Sequence, residues 1–216
     1  LNFCWCMVGV GKEFFVAPPT ARASDVKDAG RARLSKFMTR AFRRPVPEAL
    51  LNRYAQQVHR QIDSGMGFTE AMKEAASAVL SSPRFLYLYN RPMAAGKTET
   101  LDNYDLASRL SFFLWGSIPD DTLLELAGSG ELAKSAVRAA QVNRMLASPK
   151  LKRFCDSFPS QWLQLDRIVS AVPDEIKYKD FFYAAPNYRT TMDMMMEPLL
   201  LFETVLIENR SILEFI

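Results

Sequence analysis

An all-α fold, an irregular multi-helix bundle of about eight or nine helices behind a short irregular or extended N-terminal segment, is what this sequence predicts. Apolar residues recur at three- and four-residue spacing through most of the chain, the signature of helices that bury one face. Proline and glycine punctuate those stretches where helices should start and stop. No internal repeat and no low-complexity tract breaks the pattern.

Residues 1–20 read as irregular. Phe3, Trp5 and Met7, and then Phe14-Phe15-Val16, could form one or two short strands, closed by Pro18-Pro19. A helix is expected from Ser24 or Asp25 to about Arg43, with Leu34, Phe37, Met38, Ala41 and Phe42 inward and Pro45 ending it. Pro47 and Glu48 open a second, through Leu50, Leu51, Tyr54 and Val58 to about Ile62; Ser64–Gly67 is the turn. A third spans roughly Thr69–Ser81, with Met72, Ala75, Ala76, Val79 and Leu80 inward. The run Phe85–Tyr89 after Pro83 is too short to tell a helical turn from an extended strand, and Arg91–Thr100 reads as a linker.

The best-specified stretch is Leu101–Leu132. Asp102 can N-cap a helix, Asp105 adds charge to its first turn, and Leu101 and Leu106 suit a hydrophobic staple. Leu106, Leu110, Phe113 and Leu114 make its apolar stripe, and Gly116 stops it. Pro119 suits the first turn of the next helix, Asp120 and Asp121 its positive end, and Gly128 its C-terminus. The expectation is a helical hairpin with an aromatic seam around which the flanking helices pack. Ser135–Ala147 should be another amphipathic helix, followed by one from Pro149 carrying Leu151, Phe154, Phe158, Trp162 and Leu165, bent or broken at Pro159. Residues 170–186 are looser. A last helix takes Tyr188 to about Asn209, with Met192, Met195, Met196, Leu199, Phe202 and Leu206 on one face and a kink at Pro198.

With 49% hydrophobic residues, 15 Phe and 10 Met, the composition is that of a globular chain and not of a disordered one. The net charge of +3, from 27 basic and 24 acidic residues, is too small to imply nucleic acid. No apolar run is long enough for a membrane span. The chain begins with Leu, shows no cleavable signal peptide and ends inside a helical pattern, so it reads as a piece of something longer.

Candidate chemistry is sparse. Covalent haem needs C-x-x-C-H, and Cys4-Trp5-Cys6-Met7 has neither the spacing nor the histidine. A zinc site would need more ligands than Cys4, Cys6 and the single His59 provide, and Cys155 reads as a small buried hydrophobe. His59 could be a lone axial ligand, although its neighbours place it at a solvated helix edge. Asp120-Asp121 could act as acid and base or hold a metal, but adjacent acids are also what a helix N-terminus favours. Glu197, Glu203 and Glu208 are not spaced to share a face. The methionines from Met192 to Met196 read as core filler. Six basic residues (Arg31, Arg33, Lys36, Arg40, Arg43, Arg44) fall between Ala29 and Pro47 with no acid among them, as on a phosphate-facing or membrane-facing helix or on a solvated face paired with acids elsewhere. No G-x-S-x-G, no glycine-rich phosphate loop and no close Cys–His pair is present.

Three blocks resemble a known family. They are R-A-F-R-R-P-V-P with A-V-L-S-S-P-R-F-L-Y-L, then L-A-S-R-L-S-F-F-L-W-G-S-I-P-D-D-T-L-L-E-L-A, then Q-V-N-R-M-L-A-S-P-K with S-Q-W-L-Q-L. These resemble two adjoining modules of large proteins common in planctomycetes and some other bacteria, the domain-of-unknown-function families 1595 and 1592. The resemblance implies four segments: an irregular 1–20, a 1595-like helical module at 21–90, a linker at 91–100, and a 1592-like helical module at 101–216 that is truncated at its C-terminus. The last helix departs from the family pattern, reading Glu197-Pro198-Leu199 where the family usually has E-T-E. The resemblance also implies an exported, periplasmic or cell-envelope parent protein with c-type haem in neighbouring modules and none here. The partners would be those modules of the same polypeptide. No catalytic residue carries over. The matched positions are Arg43, Arg44, Pro45, Arg109, Trp115, Pro119, Asp120, Asp121 and Trp162, with architectural roles expected: Arg109 pairing with buried acids or carbonyls, the tryptophans pinning helix crossings.

The functional expectation is a non-catalytic helical scaffold in a redox or electron-transfer protein. One alternative is the substrate pocket of an oxidoreductase built on Arg109, Asp120, Asp121 and Trp162. The other is a binding module that presents the basic helix 29–44, through Arg40, Arg43 and Arg44, to an acidic polymer or membrane surface.

Overall fold

Twenty residues, Ala23–Phe42, form helix α1, and the buried Leu34, Phe37, Met38, Ala41 and Phe42 of its second half recur at helical spacing. The computed structural model describes residues 14–19, 22–88, 101–179, 181 and 187–215, and every regular element among them is helical. Helix α2 (Glu48–Asp63) buries Leu51, Ala55 and Val58 at i, i+4 and i+7. Helix α3 (Phe68–Leu80) buries Ala71, Met72, Ala75, Ala76 and Val79. These three helices pack on one another around a shared apolar core. Gly30 permits part of that approach, since a Cβ there would lie 3.4 Å from the Phe68 ring. Each fully buried large side chain adds about 1.5–3 kcal/mol.

A single turn, α4 (Pro83–Leu86), starts where Ser82 Oγ accepts the Arg84 N–H and Pro83 supplies a preset φ; the chain is extended from Tyr87. Helix α5 covers Asn103–Trp115 and α6 covers Asp121–Gly128. Helix α7 is Ser135–Leu146, α8 is Lys152–Trp162, α9 is Asp166–Ser170 and α10 is Asn187–Ile207. Short 3₁₀ turns occupy Glu131–Ala133, Pro149–Leu151 and Ile212–Phe215. The described residues divide into two compact units, one drawn from Leu1–Phe112 and Ser117–Arg138, the other from Phe113–Gly116 and Ala139–Ile216.

In the second unit α8 and α10 pack through Leu151, Phe154, Cys155 and Phe202. Their rings form a continuous series: Phe154 lies 5.0 Å from Phe113, 5.2 Å from Phe158 and 5.9 Å from Phe202. Trp115 is buried, its Nε1 donating to Met145 O at 3.1 Å, and Lys150 Nζ stands 4.5 Å from its ring.

Several expectations need correction. The most extensive helix packing is among α1, α2 and α3, not around the 101–132 hairpin. The buried face of α5 runs through Ala107, Ser108, Ser111, Leu114 and Trp115, while Phe113 is 59% exposed. A period fixes that a helix is amphipathic; which of two neighbouring faces is covered depends on what packs there. Pro119 is buried but precedes the cap: Asp120 caps α6, so Asp121 is its first residue. Phe14–Val16 is a turn and not a strand, with the Phe14 ring 5.0 Å from Phe37. Met192, Met194 and Met196 are exposed rather than core. Trp162 is 52% exposed, its ring beside Phe158 and Phe215, whereas Trp115 is buried. Pro159 and Pro198 are accommodated inside α8 and α10, each forgoing one backbone hydrogen bond. Phe3, Trp5, Met7, Cys4, Cys6, Tyr89 and the 91–100 linker lie outside the described residues.

Two outcomes are expected of the second unit. Trp115→Phe keeps an aromatic ring but loses the Nε1 bond to Met145 O, a carbonyl that still accepts the Ser148 N–H, and urea denaturation should show a loss of about 1 kcal/mol. Burial, and secondarily the Glu203 charge, push the Cys155 thiol up from its ordinary value. The unfolded thiol therefore ionises first, so its contribution to stability is complete below the ordinary cysteine range and declines as pH rises through the folded value. In a Cys4→Ser/Cys6→Ser background, Cys155 should resist a thiol reagent near neutral pH until the protein is unfolded; prompt labelling of the native chain would contradict the buried assignment.

Candidate functional site

The pair Arg43-Arg44, at the end of α1, is the polar centre of the first unit. Pro45 stops the helix by excluding helical geometry at Arg44. Arg43 takes the left-handed conformation, φ 60° and ψ 24°, normally a glycine position and costing an L-residue about 1–2 kcal/mol. The Arg44 N–H donates to Thr39 O and the Arg43 N–H to Arg40 O, both at 3.2 Å, the paired bonds of a Schellman stop.

The side chains then diverge. Arg43 is 5% exposed, and its guanidinium donates to four main-chain carbonyls: Ala41 O at 3.2 Å, Phe85 O at 3.0 Å, Arg84 O at 3.0 Å and Tyr87 O at 3.1 Å. These are carbonyls at the ends of α1 and α4 and just beyond, which lack helical partners and carry the negative end of the helix dipole. The Phe112 ring lies 5.6 Å from the guanidinium carbon. Burial, and then the neighbouring Arg44 charge, lower the Arg43 pKa from its ordinary value, while Asp105 opposes the change. It stays charged throughout the working pH range.

Arg44 turns toward α5. Its Nη1 meets Asp102 Oδ2 at 3.1 Å, its Nη2 meets Asp102 Oδ1 at 3.3 Å, and Nη2 also donates to Asp105 Oδ1. Asp102 Oδ1 in turn accepts the Asp105 N–H at 2.8 Å, so one carboxylate caps α5 and holds the arginine. A cleft of about 540 Å³ opens here, bounded among others by Arg44, Arg84, Tyr87, Asp105 and Ser108.

The other predicted residues divide as follows. Asp120 accepts the Leu123 N–H at 3.0 Å, the capping role, and Asp121 opens α6 behind it. Arg109 is half-buried on α5. Trp162 belongs to the other unit, where with Leu163, Pro198, Leu201, Ile212 and Leu213 it lines an apolar groove of about 480 Å³. His59 is partly buried, its Nε2 3.3 Å from Lys27 O. Glu203 pairs with Lys152 at 2.8 Å. Of the basic run, Arg31 meets Glu48 and Asn52, Arg33 meets the Phe14 and Val16 carbonyls, and Arg43 and Arg44 are held as described. Those four side chains are therefore spent within the fold. Among the described residues no group of three His, Cys, Asp or Glu side chains is placed to hold a metal ion, and no helix is long and apolar enough to cross a membrane. Sequence reasoning missed that Arg43 is a buried capping cation; its one signal was a dibasic step before a proline at a helix end.

Arg43→Lys keeps the charge but loses the planar fork, leaving carbonyls of α4 unsatisfied. It should cost about 2–3 kcal/mol in chemical denaturation; a cost near zero would show that the fork is not needed.

A family model described as PSD5, protein of unknown function (DUF1595), matches residues 29–90, and one described as PSD4, protein of unknown function (DUF1592), matches residues 101–216. No curated protein and no solved structure matches the chain. The second of the two models spans more than half of the sequence, and the chain belongs to the DUF1592 family.

Proposed function

We propose that this chain is a helical scaffold within a larger exported, haem-containing protein of redox or electron-transfer function. The observation that carries the structural half of the reading is the use made of the polar residues at positions that resemble the family motifs. Arg43 joins the ends of two helices, Arg44 clamps the start of a third, Trp115 ties α5 to α7, and Asp120 caps α6. Each spends its hydrogen-bonding capacity on main chain or on a neighbouring ion, as framework residues do. The haem context and the export rest on the resemblance alone. In this reading haem is bound by neighbouring modules, and this chain holds those modules or their substrate in place.

The oxidoreductase alternative is the weaker one, because the Asp120 carboxylate is already engaged as a cap.

The test is made on the natural full-length polypeptide, purified from its host. A pyridine haemochrome spectrum of the c type is expected, with the haem peptides mapping outside residues 1–216 and the protein recovered in the envelope fraction. A full-length polypeptide without covalent haem, recovered in the cytoplasm, would overturn the reading. Arg109→Ala or Asp121→Ala abolishing turnover with helicity and melting unchanged would instead install the oxidoreductase pocket.

A further inference from the structure

Among the described residues of the first unit, Arg53 and Arg60 on α2 and Arg84 on α4 are exposed arginines without a side-chain partner, whereas Arg40, the arginine of α1 in the same state, is half-buried with its Nε enclosed. Helix α2 turns Leu51, Ala55 and Val58 into the core. Arg53, Gln57 and Arg60 repeat the same i, i+4, i+7 spacing two residues later, about 200° around the helix, and so form an outward stripe. Arg84, from α4, reaches the same place. Together with Tyr54 and Ser82 these side chains line a predominantly polar groove of about 520 Å³ that contains no carboxylate. Arg53, Arg60 and Arg84 are exposed, and among the described residues none of them forms an ion pair or a side-chain hydrogen bond. Arg31, Arg33, Arg43 and Arg44 of the same unit all have partners.

We infer that this groove binds a tetrahedral oxyanion, the phosphate or sulfate group of a small ligand, through Arg53, Arg60 and Arg84. Three guanidinium forks in one groove repel one another until an anion enters, and each fork matches two oxygens of such a group. A doubly charged group with three terminal oxygens offers an acceptor edge to each arginine. A carboxylate, with one charge and two oxygens, has a single such edge and leaves two forks without one. Gln57 and Tyr54 supply neutral donors for the rest of the ligand. The inference is independent of the haem context and concerns the first unit alone.

Isothermal titration calorimetry of the 216-residue chain at fixed ionic strength tests it, with inorganic phosphate, sulfate and acetate as probes. Saturable one-to-one binding of phosphate or sulfate is expected, with acetate about tenfold weaker. Strengthening of phosphate binding as its second proton leaves, with sulfate unaffected over the same pH range, would identify phosphate as the better occupant; the reverse order of affinities would identify sulfate. Arg60→Gln and Arg84→Gln should each weaken the preferred anion about tenfold without moving the melting temperature. Lys73→Gln, which removes an equal charge from the exposed Glu70–Lys73 pair on α3, should leave it unchanged. Absence of saturable binding, acetate binding as tightly as phosphate and sulfate, or equal weakening by Lys73→Gln would each overturn the assignment.

Discussion

A positive charge buried at the end of a helix organises the first unit. Arg43 cannot be left unpaired in so enclosed a position, and among the described residues no carboxylate hydrogen-bonds to it, Asp105 acting only through its charge; its donors are taken by carbonyls at the ends of α1 and α4 and just beyond. A cation with five fixed donors and a set of carbonyls without helical partners solve each other's problem. The strained left-handed backbone at Arg43 is the geometric condition for this, because it swings the side chain off the α1 axis. Arg44, displaced by the same turn, meets Asp102 and Asp105. Two adjacent residues of the same chemistry thus do different work. One sits among carbonyls, where its cost of removal is high; the other is a half-exposed ion pair, worth about 1 kcal/mol or less.

The second unit relies on surface area instead. Its α8–α10 contact is a chain of aromatic rings from Phe113 through Phe154 and Phe158 to Phe202 and Phe215. Lys152 brackets that contact from outside by pairing with both Asp156 and Glu203, which raises its pKa through hydrogen bonds to the two carboxylates. Being exposed, that network adds little to the apolar contact beneath it. Trp115 is the exception in this unit, a large ring with its single donor satisfied by Met145 O.

The functional consequence is one of selection among charges. A basic run in sequence is only a supply of cations, and folding decides which of them remain available. On α1 the fold consumes Arg31, Arg33, Arg43 and Arg44; on α2 it leaves Arg53 and Arg60 facing out beside Arg84. On α1 that leaves Lys36 and Arg40 without a side-chain partner among the described residues, so the binding reading attached to residues 29–44 rests on those two and not on Arg43 and Arg44. Asp120 shows the same selection among acids, since a carboxylate that caps a helix is held in place by the main chain.

The sequence by itself determined the helical class, the limits of α1, α2, α3, α6 and α7 to within a residue or two, the cap at Asp102, and the buried faces of the first three helices. These follow from local rules: period, proline geometry and the dipole at helix ends act within a few residues of chain. Only the tertiary structure decided that Ala107, Ser108 and Ser111 rather than Phe113 form the covered side of α5, that Met192, Met194 and Met196 are exposed, and that α1–α3 form the most extensive packing. It alone placed Arg43 against carbonyls some forty residues away and brought Arg84 alongside Arg53 and Arg60. The reason is that amphipathicity and charge are properties of a segment, whereas burial and pairing belong to two surfaces at once, and the second surface comes from a distant part of the chain.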